Sequence, residues 1–431
     1  MTSSSGWKRN IALFMTGQGL SLFGSSLVHY AVMWHIALKT QSGLMMTMIA
    51  IAGALPMFFI SPFGGVWADR YNKKYLICVS DAIIALVTLV MAVIFSLGYD
   101  LIGLLLVCLV VRALGQGVQM PAVNALIPKL VPAESLNRCN GINSSVQSLV
   151  TFASPMLGGA LLAIAPIQSL MYIDVVTAII GIVTLLFFVK VSGDAEEKKR
   201  IDNARQYYHE MAEGLRYIGT NPFLKKGLVL SAIINFMIAP LGMLTPLQVV
   251  RNWGDSIWSV SGALSIGAEY RLAAIEVGYS AGMILGGLAL GAWGGFKNKN
   301  NTFALFTILF GLGSVGLGLI GNFWLYLALI CLMGAFMSIR GASIMSMLQT
   351  NTSGAYMGRM LSVLYMMATV TFSLGMALWG PLSDVAAIEW ILIGTGAVVL
   401  LTGCALVYEK TFRVAGAAVG YRDAESNDPQ A

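Results

Sequence analysis

Twelve stretches of this 431-residue sequence are apolar over about the length that an α-helix needs to cross a lipid bilayer, roughly 20 residues. They read as 11–38, 44–67, 75–98, 101–125, 140–164 and 167–190, then 223–250, 272–296, 302–321, 323–348, 356–381 and 385–408. Hydrocarbon offers a peptide group no hydrogen bond, so a crossing segment must satisfy its own backbone, and a helix does so. A spanning β-barrel needs segments of about 10 residues that alternate in polarity, and these runs do not alternate. Charged residues make up only 11% of the chain, against about 25% in soluble domains. The predicted fold class is an all-α membrane protein with twelve transmembrane helices. Met1 to Lys8 is short and polar, and the run from Ile11 to Leu38 is too long for the apolar part of a signal peptide, so that run is expected to be the first span.

An even number of spans puts both termini on one side. Lys39, Arg251 and Arg271 fall on the opposite side, Arg112 and Arg340 fall inside spans, and all the rest of the 26 Lys and Arg lie with the termini. Basic residues concentrate on the cytoplasmic side of membrane proteins. Both termini are therefore expected in the cytoplasm, with the chain in a bacterial inner membrane. The net charge of +6 is then topological and implies no nucleic-acid partner. The five cysteines are scattered through apolar runs without a CxxC, so neither disulfides nor a metal site is expected. There is no G-x-x-x-x-G-K-[ST] and no HExxH, so no cofactor and no enzymatic site is expected.

The longest polar stretch, 191–222, separates a first half (1–190) from a second (223–408), and 409–431 reads as a disordered cytoplasmic tail. Within the linker Ile201, Ala204, Tyr208, Met211, Leu215 and Ile218 recur at helical steps, which predicts an amphipathic helix on the membrane surface. The halves repeat faintly. Gly65-Val-Trp-Ala-Asp69-Arg-Tyr-Asn72-Lys73-Lys74 follows the second span, and Gly291-Ala-Trp-Gly-Gly295-Phe-Lys-Asn298-Lys299-Asn300 follows the eighth, with Gly, Trp, Asn and Lys in register. Two six-helix halves are thus expected.

Three segments carry a resemblance. In the loop after span two, Gly65, Asp69, Arg70 and Lys73 place one carboxylate among bases where it can pair with them or with a helix N-terminus. Span four reads Arg112-Ala-Leu-Gly115-Gln116-Gly117, and span five reads Ser154-Pro155-Met-Leu-Gly158-Gly159 with Gly141 upstream. These resemble the loop signature, the basic motif and, in part, the antiporter motif of the major facilitator superfamily; Val150 and Ser154 stand where the antiporter motif has glycines. Met120-Pro121-Ala122-Val-Asn124-Ala125, Tyr172-Ile-Asp174-Val175 and Ser280-Ala281-Gly282-Met283 further resemble its macrolide-efflux branch of drug:proton antiporters. The 251–271 loop looks longer than that branch usually has. The resemblance implies a transporter whose substrate site lies between the halves near the bilayer midplane. It also implies a cytoplasmic latch of Gly65, Asp69, Arg70 and Lys73, to which we add Asp81 as a neighbour of Arg70. Gly141, Pro155, Gly158 and Gly159 read equally as a small-residue packing face.

Ionisable groups inside spans are functional candidates, because a charge at the bilayer centre costs at least about 2.5–3.5 kcal/mol. Arg112 lies near mid-span, and Asp174 is its natural counter-charge. Asp174, Glu276 and His29 are the proton-coupling candidates; a fixed ion pair for Asp174, a loop-end position for Glu276 and a hydrogen-bonded packing role for His29 are the competing readings. Arg340 either snorkels or meets an anionic group of the substrate. With 24 methionines and 19 phenylalanines in the chain, Phe236, Met237, Met243, Met366 and Phe372 on spans seven and eleven could wrap an apolar ligand. The expected activity is proton-coupled export of amphipathic organic molecules by a monomer. Partners would be the small-molecule substrate, protons and the bilayer. Export of a lipid-like or siderophore-like solute is the alternative, and a non-transporting receptor or sensor is the alternative of another class.

Overall fold

The computed structural model describes residues 6–132, 135–189, 216–253, 258–260, 264–266, 268–353 and 356–417. The predicted amphipathic helix of the linker lies mostly outside them; 216–220 is helical. Among the described residues, twelve helices are long and apolar enough to cross a membrane. They are α1 (Gly6–Thr40), α2 (Gly43–Arg70), α3 (Lys73–Ser96), α4 (Ile102–Leu130), α5 (Leu136–Ile164) and α6 (Ile167–Val183). The remaining six are α7 (Pro222–Trp253), α8 (Ala268–Trp293), α9 (Lys299–Leu319), α10 (Phe323–Thr350), α11 (Met357–Val385) and α12 (Ile388–Tyr408). A short α13 (Lys410–Ala417) follows. In the long loop, Trp258–Val260 pairs antiparallel with Leu264–Ile266.

Some of the helices begin at an asparagine cap. Asn72 Oδ1 accepts from the backbone N–H groups of Lys74 and Tyr75 at 3.0 and 3.4 Å, opening α3. Asn298 does the same for Asn300 at 2.9 Å, opening α9. These are the asparagines that match in the internal repeat, so the repeat encodes a helix start in each half. Along α3, Val79, Ile83, Leu86, Val90 and Val93 face outward, while Ile77, Asp81, Ile84 and Thr88 are buried. Steps of three and four residues thus separate a face suited to lipid from a face suited to protein.

The chain divides into two compact units. Unit 1 is Met1–Gln41, Met48–Tyr207 and Gly254–Ala273, and unit 2 is Ser42–Thr47, Tyr208–Trp253 and Ala274–Ala431. In unit 1, α1 packs on α5 and α6, and α3 packs on α4 and α6. In unit 2, α7 packs on α11 and α12, and α9 packs on α10 and α12, the same pairing shifted by six helices. Apolar tails between helices gain little in lipid, so close approach of small residues does the packing. A Cβ on Gly64 would lie 2.6 Å from the Gly117 carbonyl oxygen where α2 meets α4. A Cβ on Gly334 would fall on the Tyr279 carbonyl oxygen where α10 meets α8. Within unit 2 the Asp384 carboxylate holds Ser42–Thr47, accepting from Gly43 N at 2.6 Å and Leu44 N at 2.9 Å, and also pairs with Arg251 at 2.9 Å.

Three expectations are corrected here. Of the adjacent glycines Gly64 and Gly65, both expected to let two helices approach after span two, Gly64 does so, whereas a side chain at Gly65 would meet nothing within 4 Å. Gly141 is likewise open, whereas Gly159 packs, with a Cβ there 2.6 Å from that of Ala273 and 2.7 Å from the Trp34 ring. The tail is ordered at its start: Phe412 of α13 is buried edge-on against Phe223 at 5.2 Å, and Lys226 binds Glu409 at 2.5 Å. A short polar helix with one large apolar residue carries too little hydrophobic signal to be read from sequence; only the pocket beside Phe223 makes Phe412 a core residue.

Candidate functional site

Polar residues interrupt the apolar spans of unit 1 at helical spacing. Gln18, Ser21, Ser25 and His29 share one face of α1, Arg112, Gln116 and Gln119 share one face of α4, and Asn143 and Gln147 share one face of α5. Folding turns these stripes toward one another. A cavity of about 380 Å³ results, lined by Gln18, His29, Arg112, Gln119, Asn143 and Gln147 together with apolar Leu22, Met57 and Met120. Beside it, a groove of about 970 Å³ runs between α1 and α5, apolar along Leu20, Phe23, Ile142 and Leu149 and basic at Lys8 and Arg138. Gly19, Val146 and Val150 line both, so the cavity with its polar side chains and the apolar groove share a wall.

Arg112 forms the charged part of that cavity. Its Nη1 donates to Asp174 Oδ2 at 2.5 Å and to the Thr88 hydroxyl, and its Nη2 donates to the Ser25 carbonyl at 3.1 Å. Ser25 Oγ donates to Asp174 Oδ1 at 3.1 Å, so both carboxylate oxygens are bound. The pair is buried, at 3% and 0% side-chain exposure. Gly24 makes this possible, since a Cβ there would lie 2.9 Å from the Asp174 Cα and hold α6 away from α1. Two charges removed from water are tolerable only when paired and hydrogen-bonded, as here.

A second buried carboxylate has a different environment. Asp81, expected beside Arg70, is 2% exposed and faces inward from α3. Its Oδ1 accepts from Ser21 Oγ at 2.9 Å and Gln119 Nε2 at 2.7 Å, and its Oδ2 accepts from Gln18 Nε2 at 3.4 Å. All three donors are neutral. One and a half turns into the third span suggests a place near the membrane face, but the helical phase of Asp81 matches the buried stripe of α3, and that phase decides its place. Of the other expected latch residues, Arg70 is exposed, and the side chain of Asp69 lies outside the described residues. Lys74 instead closes α6: its Nζ donates to the carbonyls of Leu186 and Val189, both at 2.9 Å, where a π-helical turn, Thr184–Phe188, ends the helix.

The remaining candidates fall in different places. His29 lines the cavity. Glu276 is half-buried on α8 and makes no ion pair among the described residues. Arg340 is 8% exposed, with its guanidinium 5.7 Å over the Phe310 ring, Nη2 on the Met337 sulfur at 3.0 Å and Nε unpartnered. Phe236 and Phe372 belong to the α7–α11 packing of unit 2: Phe236 meets Trp379 at 5.8 Å, and Phe372 covers Gly242; Met243 is buried on α7. Met237 and Met366 lie half-buried on the same two helices, and none of the five lines the cavity of unit 1. Gly278 to Gly282 has the G-x-S-x-G spacing of a hydrolase nucleophile turn, but it lies mid-helix in α8 with Ser280 buried, not on the strand-to-helix turn that chemistry requires. The signal for this cavity in the sequence is glutamine inside apolar runs: Gln18 in α1, Gln116 and Gln119 three residues apart in α4, and Gln147 in α5.

Residues 11–275 match the family model described as Major Facilitator Superfamily. Macrolide efflux protein A of Streptococcus pyogenes is 24% identical over 413 residues, covering 95% of this chain and 98% of that protein. Multidrug efflux pump Tap of Mycolicibacterium fortuitum is 21% identical over 392 residues, covering 89% and 92%. Among solved structures, the nucleoside transporter NupG superposes with a TM-score of 0.70 at 10% identity over 92% of this chain and 98% of that one, a likeness of fold alone. Twelve spans, a helix pairing that recurs after six, and a family match over more than half the chain agree: the chain is a multi-pass membrane protein of the Major Facilitator Superfamily, a family of transporters rather than enzymes.

Proposed function

We propose that the protein exports amphipathic organic molecules of the macrolide or multidrug type from a bacterial cytoplasm, driven by inward proton flow, with both termini cytoplasmic. The observation that carries this reading is the shared wall of the two voids in unit 1. A cavity holding Arg112 and four glutamines among apolar side chains opens beside an apolar groove, which suits a ligand with one polar and one greasy face. The relatives named macrolide efflux protein and multidrug efflux pump point to the same class of substrate. Basic residues gathered on the side of the termini support the orientation. Alternating access of the two halves would move the ligand, and a titratable group inside the bundle would carry the proton. Of the carriers expected from sequence, His29 faces the cavity, Asp174 is committed to Arg112, and Glu276 sits in unit 2.

The test is uptake of radiolabelled erythromycin into everted membrane vesicles that carry the full chain. Accumulation that a protonophore abolishes is the expected result. Absence of accumulation across a panel of macrolides and lipophilic cations would remove the proposal, and accumulation indifferent to the protonophore would remove its coupling.

A further inference from the structure

We propose that Asp81 is the carboxyl group that takes up and releases the exchanged proton, by way of the Gln18–Gln119 amide pair that separates it from the cavity of unit 1. The inference rests on the proton-exchange reading above and names its site.

The two buried carboxylates of unit 1 are not equivalent. Asp174 holds Arg112, which is 3% exposed, so a proton on Asp174 would strand a buried guanidinium. Asp81 is bound by neutral donors alone, so a proton there removes a buried charge and strands none. Its two oxygens also differ. Oδ1 holds the two short bonds, from Ser21 and Gln119, while Oδ2 has only the 3.4 Å contact from Gln18. Oδ2 is therefore the oxygen free to take a proton. As the Gln18 side chain swings off Oδ2, a hydronium ion of the cavity reaches that oxygen, gives up one O–H bond and leaves as water as the new O–H forms. A half-turn of the Gln18 amide then presents Oε1 as acceptor to that O–H, since the two ends of an amide occupy nearly the same space. The 3.3 Å bond from Gln119 Nε2 to Gln18 Oε1 is given up, and the 2.7 Å bond from Gln119 to Asp81 persists. Both states leave Asp81 fully hydrogen-bonded, which is what a reversible buried proton site requires.

Access comes through the amides. Gln18 and Gln119 line the cavity, and Asp81 lies directly behind them. The groups that face Asp81 are few. From α1 they are Gln18 and Ser21, from α4 Gln119, from α6 Asp174 acting through space, and on its own helix Cys78. Lys74, two turns away on α3, is spent on the carbonyls that end α6. The position is ~12 Å along α3 from its Lys73 end, at 1.5 Å per residue. Arg112 is ~15 Å along α4 from the opposite side of the bundle. The proton site and the cavity cation are thus at different depths, joined by the glutamine pair.

Two measurements on the full chain decide the matter. The first needs no ligand: infrared difference spectra of the protein in lipid nanodiscs across a pH titration, read in the C=O stretch of protonated carboxyls. A titrating band in the wild type that Asp81→Asn abolishes is expected. Ser21→Ala, which removes a donor to the oxygen that stays a carbonyl, should move that band without erasing it. If Asp81→Asn fails to fold, the Ser21→Ala shift carries the test alone. A wild-type titration unchanged in either folded variant overturns the assignment. The second is erythromycin uptake into everted vesicles with and without a protonophore. If wild-type uptake is protonophore-sensitive, Asp81→Asn should lose uphill uptake, and retained uphill uptake in the variant overturns Asp81 while leaving proton-driven export standing. Wild-type uptake insensitive to the protonophore removes the coupling reading itself, and the infrared result then stands apart as a proton site without that role.

Discussion

Arg112 Nη1 and Asp174 Oδ2 meet at 2.5 Å between α4 and α6, with almost no side-chain surface exposed. Breaking such a pair leaves a buried charge without its counter-charge, while removing both members does not. Asp174→Asn should therefore destabilise unit 1 by about 3–5 kcal/mol, and Arg112→Met with Asp174→Leu should recover most of that loss. Unfolding of detergent-solubilised protein in a double-mutant cycle measures the coupling. Additive single effects would show the two side chains to be independent.

Asp100 tests a pH effect outside the spans. Burial alone would push its carboxyl upward, but hydrogen bonds from Lys39 and His35 and their charges outweigh this and hold it below the usual carboxylate range. A group lowered in the folded state contributes stability above its unfolded value, about 3.9, and loses it as pH falls through the folded value. The site is one-third exposed, so the contribution is at most about 1 kcal/mol and is screened by salt. Asp100→Asn should lower the unfolding temperature slightly at pH 7 and not at all at acid pH. An equal shift at both would rule out the charge as its cause.

Glycine substitutions should separate crowded from open positions. At Gly334 a methyl group would strike the Tyr279 carbonyl, so Gly334→Ala should cost about 1–3 kcal/mol or more. At Gly65 it meets nothing, so Gly65→Ala should be neutral or stabilising by about 0.5–1 kcal/mol, as for any open helical glycine. Folded yield by size-exclusion chromatography and unfolding temperature report both. Equal damage at the two sites would contradict the packing described for α8 and α10.

Phe412 should behave as a core residue. It is 2% exposed against Phe223, and Asn298 and Asn351 bind the carbonyls of Arg413 and Ala415 at 3.0 and 3.1 Å. Phe412→Ala should cost about 3–5 kcal/mol if α13 unfolds with unit 2. Hydrogen exchange should then rise in α13 and at the Pro222 end of α7. Exchange unchanged at α7 would mean that α13 is not part of that core.

Span number, helical class and the six-helix repeat were legible in the sequence because they depend on local quantities. Apolar length decides whether a segment crosses a bilayer, and Asn72 and Asn298 start helices through bonds to residues two or three positions away. The Arg112–Asp174 pair could be anticipated too, because an intramembrane charge must find an opposite one and the choices were few. Which carboxylate stays unpaired was decided only by the fold. Asp81 and Arg70 are close along the chain, but the rotation of α3 turns Asp81 onto α1 and α4, and its partners Gln18 and Gln119 come from 63 and 38 residues away. The same holds for Gly64 against Gly65 and for Phe412. In each case the side chain is ordinary, and its role comes from what a distant helix places a few ångströms from it.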